Sequence, residues 1–159
     1  MTTDSAVIDS PFGRLLIVSQ DEAIVRIAWT EKCLHQPQSA LLQACAAQLQ
    51  EYFAGERTVF DLPLCPEGTP FQRAVWRALT DIPYGQTRSY GQIAAEIGRP
   101  GASRAVGQAN HVNPILFVIP CHRVVCADEN PGGYHGGIAV KEALLMLEKR
   151  CAAIPSEYQ

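Results

Sequence analysis

Pro120-Cys121-His122-Arg123 sets a thiol beside an imidazole and a guanidinium. The thiolate is the nucleophilic form of cysteine, and a neighbouring imidazole or other positive group lowers its pKa from about 8.5 toward or below neutrality. The apolar run Ile115 to Ile119 reads as a buried strand that stops on the proline, which would deliver a fixed, partly exposed cysteine. Taken alone, the four residues fit equally well a buried structural cysteine followed by a solvated His-Arg pair. The elements around them have to decide.

Ala6-Val7-Ile8 and Leu15 to Val18 flank Ser10-Pro11-Phe12-Gly13 and predict a hairpin, with a third strand over Ala23 to Trp29. From Pro37 to Phe53, Leu41, Leu42, Cys45, Leu49, Tyr52 and Phe53 recur at helical spacing, and Gly55 stands where a C-terminal cap belongs. Residues 55–68 carry Pro63, Pro66 and Gly68 without a periodic run and read as a connection. Thr69-Pro70 opens a helix with Phe71, Val75, Trp76 and Leu79 on one face, ended by Ile82-Pro83-Tyr84-Gly85. A short helix from Ser89 to Ile97, the turn Gly98-Arg99-Pro100-Gly101 and a second short helix from Ala102 to Asn110 have the form of a helix-turn-helix. Ala102, Ser103, Ala105, Gly107 and Ala109 give that second helix a low profile. A glycine-rich stretch around Tyr134 and His135 precedes an amphipathic helix, Ile138 to Arg150, with Leu144, Leu145 and Leu147 inward.

The 159 residues suffice for one domain or two small ones and contain no apolar stretch near the roughly 20 residues a membrane span requires. The acidic MTTDSAVIDS start shows no secretory signal, so a cytoplasmic protein is expected. Six cysteines without a C-x-x-C pair suit neither a disulfide framework nor a four-ligand zinc site, and Cys33-x-His35 lacks a second pair. The net charge of −3 is unevenly spread: residues 1–68 hold four Lys/Arg against nine Asp/Glu, and residues 69–151 hold nine against six. Composition noise would explain that asymmetry, and so would a basic face for phosphate contact.

Thr69-Pro70-Phe71-Gln72, the helix with Trp76, Ile82-Pro83-Tyr84-Gly85, Ser89-Tyr90-Gly91-Gln92-Ile93-Ala94, Arg104-Ala105-Val106-Gly107, Asn113-Pro114, Ile119 to Val124, and Tyr134-x-Gly-Gly with Lys141-Glu142 occur in one order. Together they resemble the O6-alkylguanine-DNA alkyltransferases, densely over residues 69–150, in the short bacterial form. The resemblance implies an α+β protein. Residues 1–68 would form a small antiparallel sheet with a helix, ribonuclease H-like, and residues 69–151 a mostly helical alkyl-acceptor and DNA-binding domain, with 152–159 as a tail.

The same resemblance implies a chemistry. Cys121 would irreversibly accept an alkyl group, chiefly methyl, from O6 of guanine, and also from O4 of thymine, consuming the protein without a cofactor or metal. His122 would take the thiol proton through a water, Glu148 would orient the imidazole, and Asn113 would tie the preceding turn to the cysteine loop. The partner would be double-stranded DNA, bound by a monomer through the minor groove with the lesion flipped out of the stack. Arg104 would fill the vacated place, and Tyr90 would push on the backbone and donate to the base. Ser103, Ala105 and Gly107 would permit close approach; Tyr134 would wall the pocket, and main-chain groups at Val124 and His135 would read the guanine edge. His135 departs from the small residue usual at its position. The alternatives are a non-catalytic lesion-binding relative, whose class carries Trp in place of the cysteine, and a helix-turn-helix regulator, for which this helix offers few side chains able to reach base edges.

Overall fold

The computed structural model describes residues 2–126 and 137–152, and the chain divides into two units. One comprises residues 1–67 together with 114–116, and the other residues 68–113 and 117–159. Among the described residues no helix is long and apolar enough to cross a membrane, and no group of three or more His, Cys, Asp or Glu could hold a metal ion.

The first unit is an antiparallel sheet in the order β1 (Thr3–Ile8), β2 (Leu15–Gln20), β3 (Ala23–Trp29), covered by α1 (Ala40–Phe53). Alternation in β2 sends Leu15 and Ile17 into a core completed by Ala6, Ile24, Ile27, Leu42, Cys45, Leu49 and Tyr52, all fully buried. The β2–β3 connection is a two-residue turn with Asp21 and Glu22 both at positive φ (51° and 65°), the hand that matches strand twist. Asp21 holds it by accepting from Thr2 N at 3.0 Å. Ser39 caps α1 by accepting from Leu42 N.

Residues 115–119 are not a strand. Only Ile115 makes a bridge, to Ile27, through Ile27 N to Pro114 O (2.9 Å) and Leu116 N to Ile27 O (3.1 Å). The chain then turns through Phe117 at φ +68°. Continuous apolar residues fix burial here, and burial alone does not choose between strand and turn.

The second unit is helical. Thr69 and Gln72 form a capping box on α2 (Pro70–Thr80), and Ser89 and Gln92 do the same on α3 (Tyr90–Glu96). α3 ends in a Schellman arrangement, Arg99 N to Ala94 O and Gly98 N to Ala95 O, with Gly98 at φ +79°. The turn leads into α4 (Ser103–His111), which Trp76 anchors by donating from Nε1 to Ala109 O at 2.9 Å. A two-residue parallel pair, β4 (Arg88–Ser89) with β5 (Val124–Val125), joins the start of α3 to the segment after Cys121. α5 (Ile138–Ala152) buries Lys141, Leu144 and Glu148, whereas Leu145 and Leu147 are only half-buried. The inward stripe therefore contains two charged residues where leucines were expected, because each finds a partner in the core.

Candidate active site

Cys121 opens a single 3-10 turn, Cys121–Arg123, rather than ending a strand. It is 1% exposed, so the partly exposed cysteine expected from the proline stop is a buried one. The turn is fixed from behind: Ile119 O accepts from Cys121 N at 2.8 Å and from Asn113 Nδ2 at 2.8 Å, while Arg123 N donates to Pro120 O. Asn113 is itself buried, so its amide makes a bond that solvent does not share.

His122 is fully buried, with Nε2 2.5 Å from Glu148 Oε2. Glu148 also accepts from Arg123 Nε at 2.7 Å, Arg123 Nη2 at 3.2 Å and Gly85 N at 3.2 Å. Burial pushes the Glu148 carboxyl up, but the hydrogen bonds and positive charge from His122 and Arg123 outweigh it and bring the pKa from 4.5 to about 2. Burial lowers the His122 pKa from 6.5; the bond and charge of Glu148 oppose this, and Arg123 and Lys141 add to it. Above its lowered pKa the ring is neutral and Arg123 is the cation that faces Glu148; below it the imidazolium adds its own charge to that of Arg123. A carboxylate only accepts, so Nε2 carries the ring proton and Nδ1 is the basic nitrogen.

Arg123 and Lys141 belong to this cluster, although spacing gave neither a role. Arg123, 7% exposed, also donates from Nη1 to Ile82 O at 2.7 Å and lies over the Tyr84 ring. Lys141, fully buried, donates from Nζ to Val124 O at 2.6 Å. Burial pulls its pKa down while Cys121 and Cys126 hold it up, which sets the ammonium in the electrostatic neighbourhood of the thiol. The position of Arg123 beside His122 in sequence and of Lys141 seven residues before Glu148 on one helix face was the available signal. Val124 N donates to Cys121 O, and its carbonyl takes the Lys141 ammonium.

The second cluster lies along α4. Tyr90, Ser103, Arg104 and Gly107 line an open groove of about 640 Å³ together with Gln108, His111 and Val112. The Tyr90 ring lies on Gly107, where an added Cβ would meet its Cδ1 and Cε1 at 3.8 Å. Ala105 is half-buried and is not among the groove residues. Gln108 and His111 follow Arg104 and Gly107 at i+4, a spacing that would have found them. Burial raises the Tyr90 pKa, as do nearby Cys126 and Cys121, so the phenol and the Cys121 thiol share one locality. Tyr134 and His135 lie outside the described residues.

Two family models match. Residues 70–150 match the DNA-binding domain of 6-O-methylguanine DNA methyltransferase, and residues 5–66 match its ribonuclease-like domain. The chain belongs to this family. Its relatives include the methylated-DNA--protein-cysteine methyltransferases of Methanosarcina acetivorans (46% identical; 92% of this chain and 98% of that one) and Bacillus subtilis (constitutive; 43%; 89% and 92%). The crystal structure of Mycobacterium tuberculosis OGT in complex with DNA matches with TM-score 0.85 at 45% identity, covering 97% of this chain and 96% of that one. The α+β methyltransferase fold is therefore established for this chain, the small antiparallel sheet with its helix and the helical unit being its two parts.

Proposed function

We propose that Cys121 is the alkyl acceptor, activated by His122 under the control of Glu148. The protein is a methyltransferase that repairs alkylated DNA by direct reversal, moving the alkyl group to a cysteine of its own. In the proposed reaction the sulfur of Cys121 forms a bond to the alkyl carbon as the bond from that carbon to guanine O6 breaks. The electron pair stays on the guanine oxygen, and the thiol proton taken by His122 Nδ1 through a water is the one that the restored guanine finally carries. The thioether is stable, so each molecule reacts once. O4-alkylthymine, which presents the same alkoxy group on a smaller ring, is a second substrate.

The observation that carries this reading is the buried cluster of His122, Glu148 and Arg123 in the turn that Cys121 opens. Cys121 is the one thiol among six that is next in sequence to such an imidazole. The groove on α4 supplies the DNA side: Arg104 fills the stack, Tyr90 donates a hydrogen bond to the base as charge develops on it, and Ser103 and Gly107 let the helix enter the minor groove. Asn113 keeps the α4 end and the cysteine turn in register. The protein acts as a monomer in the cytoplasm, where its DNA is.

Intact-mass measurement after mixing with duplex DNA containing O6-methylguanine tests the assignment. One methyl per molecule, mapped to Cys121 and absent from Cys121→Ser, is expected. Repeated turnover, or a methyl on Cys126 or Cys151, would overturn it.

A further inference from the structure

We propose that Arg123 is a positioning residue for His122: its guanidinium forks onto Glu148, serves that carboxylate as its permanent cation, and so relieves the imidazole of that role and leaves it able to take a proton. The proposal rests on the base role given above to His122. Arg123 Nε donates to Glu148 Oε1 at 2.7 Å and Nη2 to Oε2 at 3.2 Å, a two-point contact that fixes the carboxylate plane. The third nitrogen, Nη1, is held by Ile82 O at 2.7 Å, and the centroid of the Tyr84 ring lies 5.6 Å from the guanidinium carbon. Arginine does not lose its proton in proteins, so a guanidinium held in this way is charged throughout the pH range of the reaction.

Two groups on one carboxylate compete to neutralise it. A carboxylate has about four acceptor positions; on Glu148, Arg123 takes two, beside the Gly85 amide and His122 Nε2. Without the guanidinium, His122 would face the buried charge of Glu148 as its counter-ion. A ring whose ordinary pKa is 6.5 takes up a proton before a carboxyl whose ordinary value is 4.5. It would then be an imidazolium, protonated at both nitrogens, with no place for the thiol proton. The other groups around the ring do not replace Arg123. From α5, Lys141 donates to Val124 O, and its charge acts on the ring less than that of Arg123. α2, packed against the same turn, buries Val75, Trp76, Ala78 and Leu79 and keeps Arg73 and Arg77 exposed. α4 and the residue after it present the neutral amides of Asn110 and Asn113, to Cys121 O and Ile119 O. On β4, Arg88 bonds to Gln86. Burial raises the Tyr84 pKa, so that phenol is neutral, and Cys121 on the ring's own turn is the source of the proton.

NMR titration of the four histidines, with His122 assigned by its loss in His122→Gln, reads the ring directly. Transfer from free O6-benzylguanine at about pH 6 and about pH 8 reads its use. In the parent the His122 titration should lie below pH 6.5. Arg123→Met should move it above 6.5 and raise the ratio of transfer rates, pH 8 over pH 6, about five- to tenfold, since the ring is then charged at the lower pH. Adding Glu148→Gln to Arg123→Met removes the charge that the ring would answer and should return the titration below 6.5. A folded Arg123→Met with its titration unmoved and transfer slowed equally at both pH values would make Arg123 a structural counter-ion and overturn the proposal. So would a titration that stays high in the double variant. If Arg123→Met does not melt cooperatively, Arg123→Gln, which restores amide donors without the charge, carries the same comparison. A titration that moves as expected while the transfer ratio stays constant would support the action of Arg123 and count instead against the base role given to His122.

Discussion

Glu148 is 1% exposed and accepts from three groups, the His122 ring, the Arg123 guanidinium and the Gly85 amide. Taking a carboxylate out of water is unfavourable, and removing its charge leaves Arg123 buried without its counter-ion. Glu148→Gln should therefore lose stability by about 3 kcal/mol or more, read from urea unfolding. If transfer runs as proposed, it should also slow reaction with O6-benzylguanine, since a neutral amide no longer favours the imidazolium that His122 would become. A variant as stable as the parent would show that Arg123 finds another acceptor. The residue scale was partly legible in the sequence. Cys121, His122 and Glu148 stand in recognisable surroundings, but the burial of Arg123 and Lys141 was not, because a charged side chain enters a core only where a partner on a distant element meets it. Nothing local marks Val124 O as the acceptor for Lys141.

At the scale of elements, α4 divides its work between two faces. Val106, Ala109 and Asn110 are buried, and Arg104, Gly107, Gln108 and His111 border the groove. Arg104→Ala is expected to slow repair of duplex DNA more than transfer from free O6-benzylguanine, since only the duplex leaves a gap in its stack. Equal slowing of both would assign Arg104 to the fold. The loop Ile82–Gly85 is held from the other side. Gly85 has φ +79°, and a Cβ there would lie 2.7 Å from that of Ala152. Gly85→Ala should cost about 2–4 kcal/mol from backbone strain and crowding together, and shift the Glu148 contact that Gly85 N makes. Thermal unfolding alongside the transfer rate checks both parts. Helices with capping boxes and strands with alternation were legible, because their signals lie within four residues of each other. The β4–β5 pair and the turn at 117–120 were not, since their partners are remote in sequence and apolar residues suit either conformation.

For the whole molecule, proton uptake sets the acid limit. Burial lowers the His122 pKa below 6.5, so folding favours the neutral ring, and its contribution is complete above pH 6.5 and lost as pH falls below it. Glu148 is depressed from 4.5 to about 2, so its contribution is present above 4.5 and lost as pH falls toward 2. Both make the unfolded chain the greater proton binder, so urea midpoints should fall continuously from pH 6.5 downward. A flat profile between pH 6 and 4 would contradict this. Alkylation acts on the same cluster. A methyl on the buried Cys121 must displace packed atoms, at about 1–3 kcal/mol, and should lower Tm by roughly 2–10 °C in the spent protein. An unchanged or higher Tm after complete methylation would show that the pocket accepts the group without strain.

The bridge from Ile115 to Ile27 orders the life history of the chain. The sheet unit is made of residues 1–67 plus three residues, 114–116, that leave the ribosome only after α2, α3 and α4 have been synthesised. At about 5–20 residues per second, several seconds pass in which β3 presents an unfilled edge at Ile27. A nascent or truncated chain that stops before Pro114 is thus missing a structural piece of its first unit, and the sheet is completed only as the segment leading to Cys121 arrives. The order of synthesis therefore makes completion of the sheet and delivery of the Cys121 turn nearly simultaneous events.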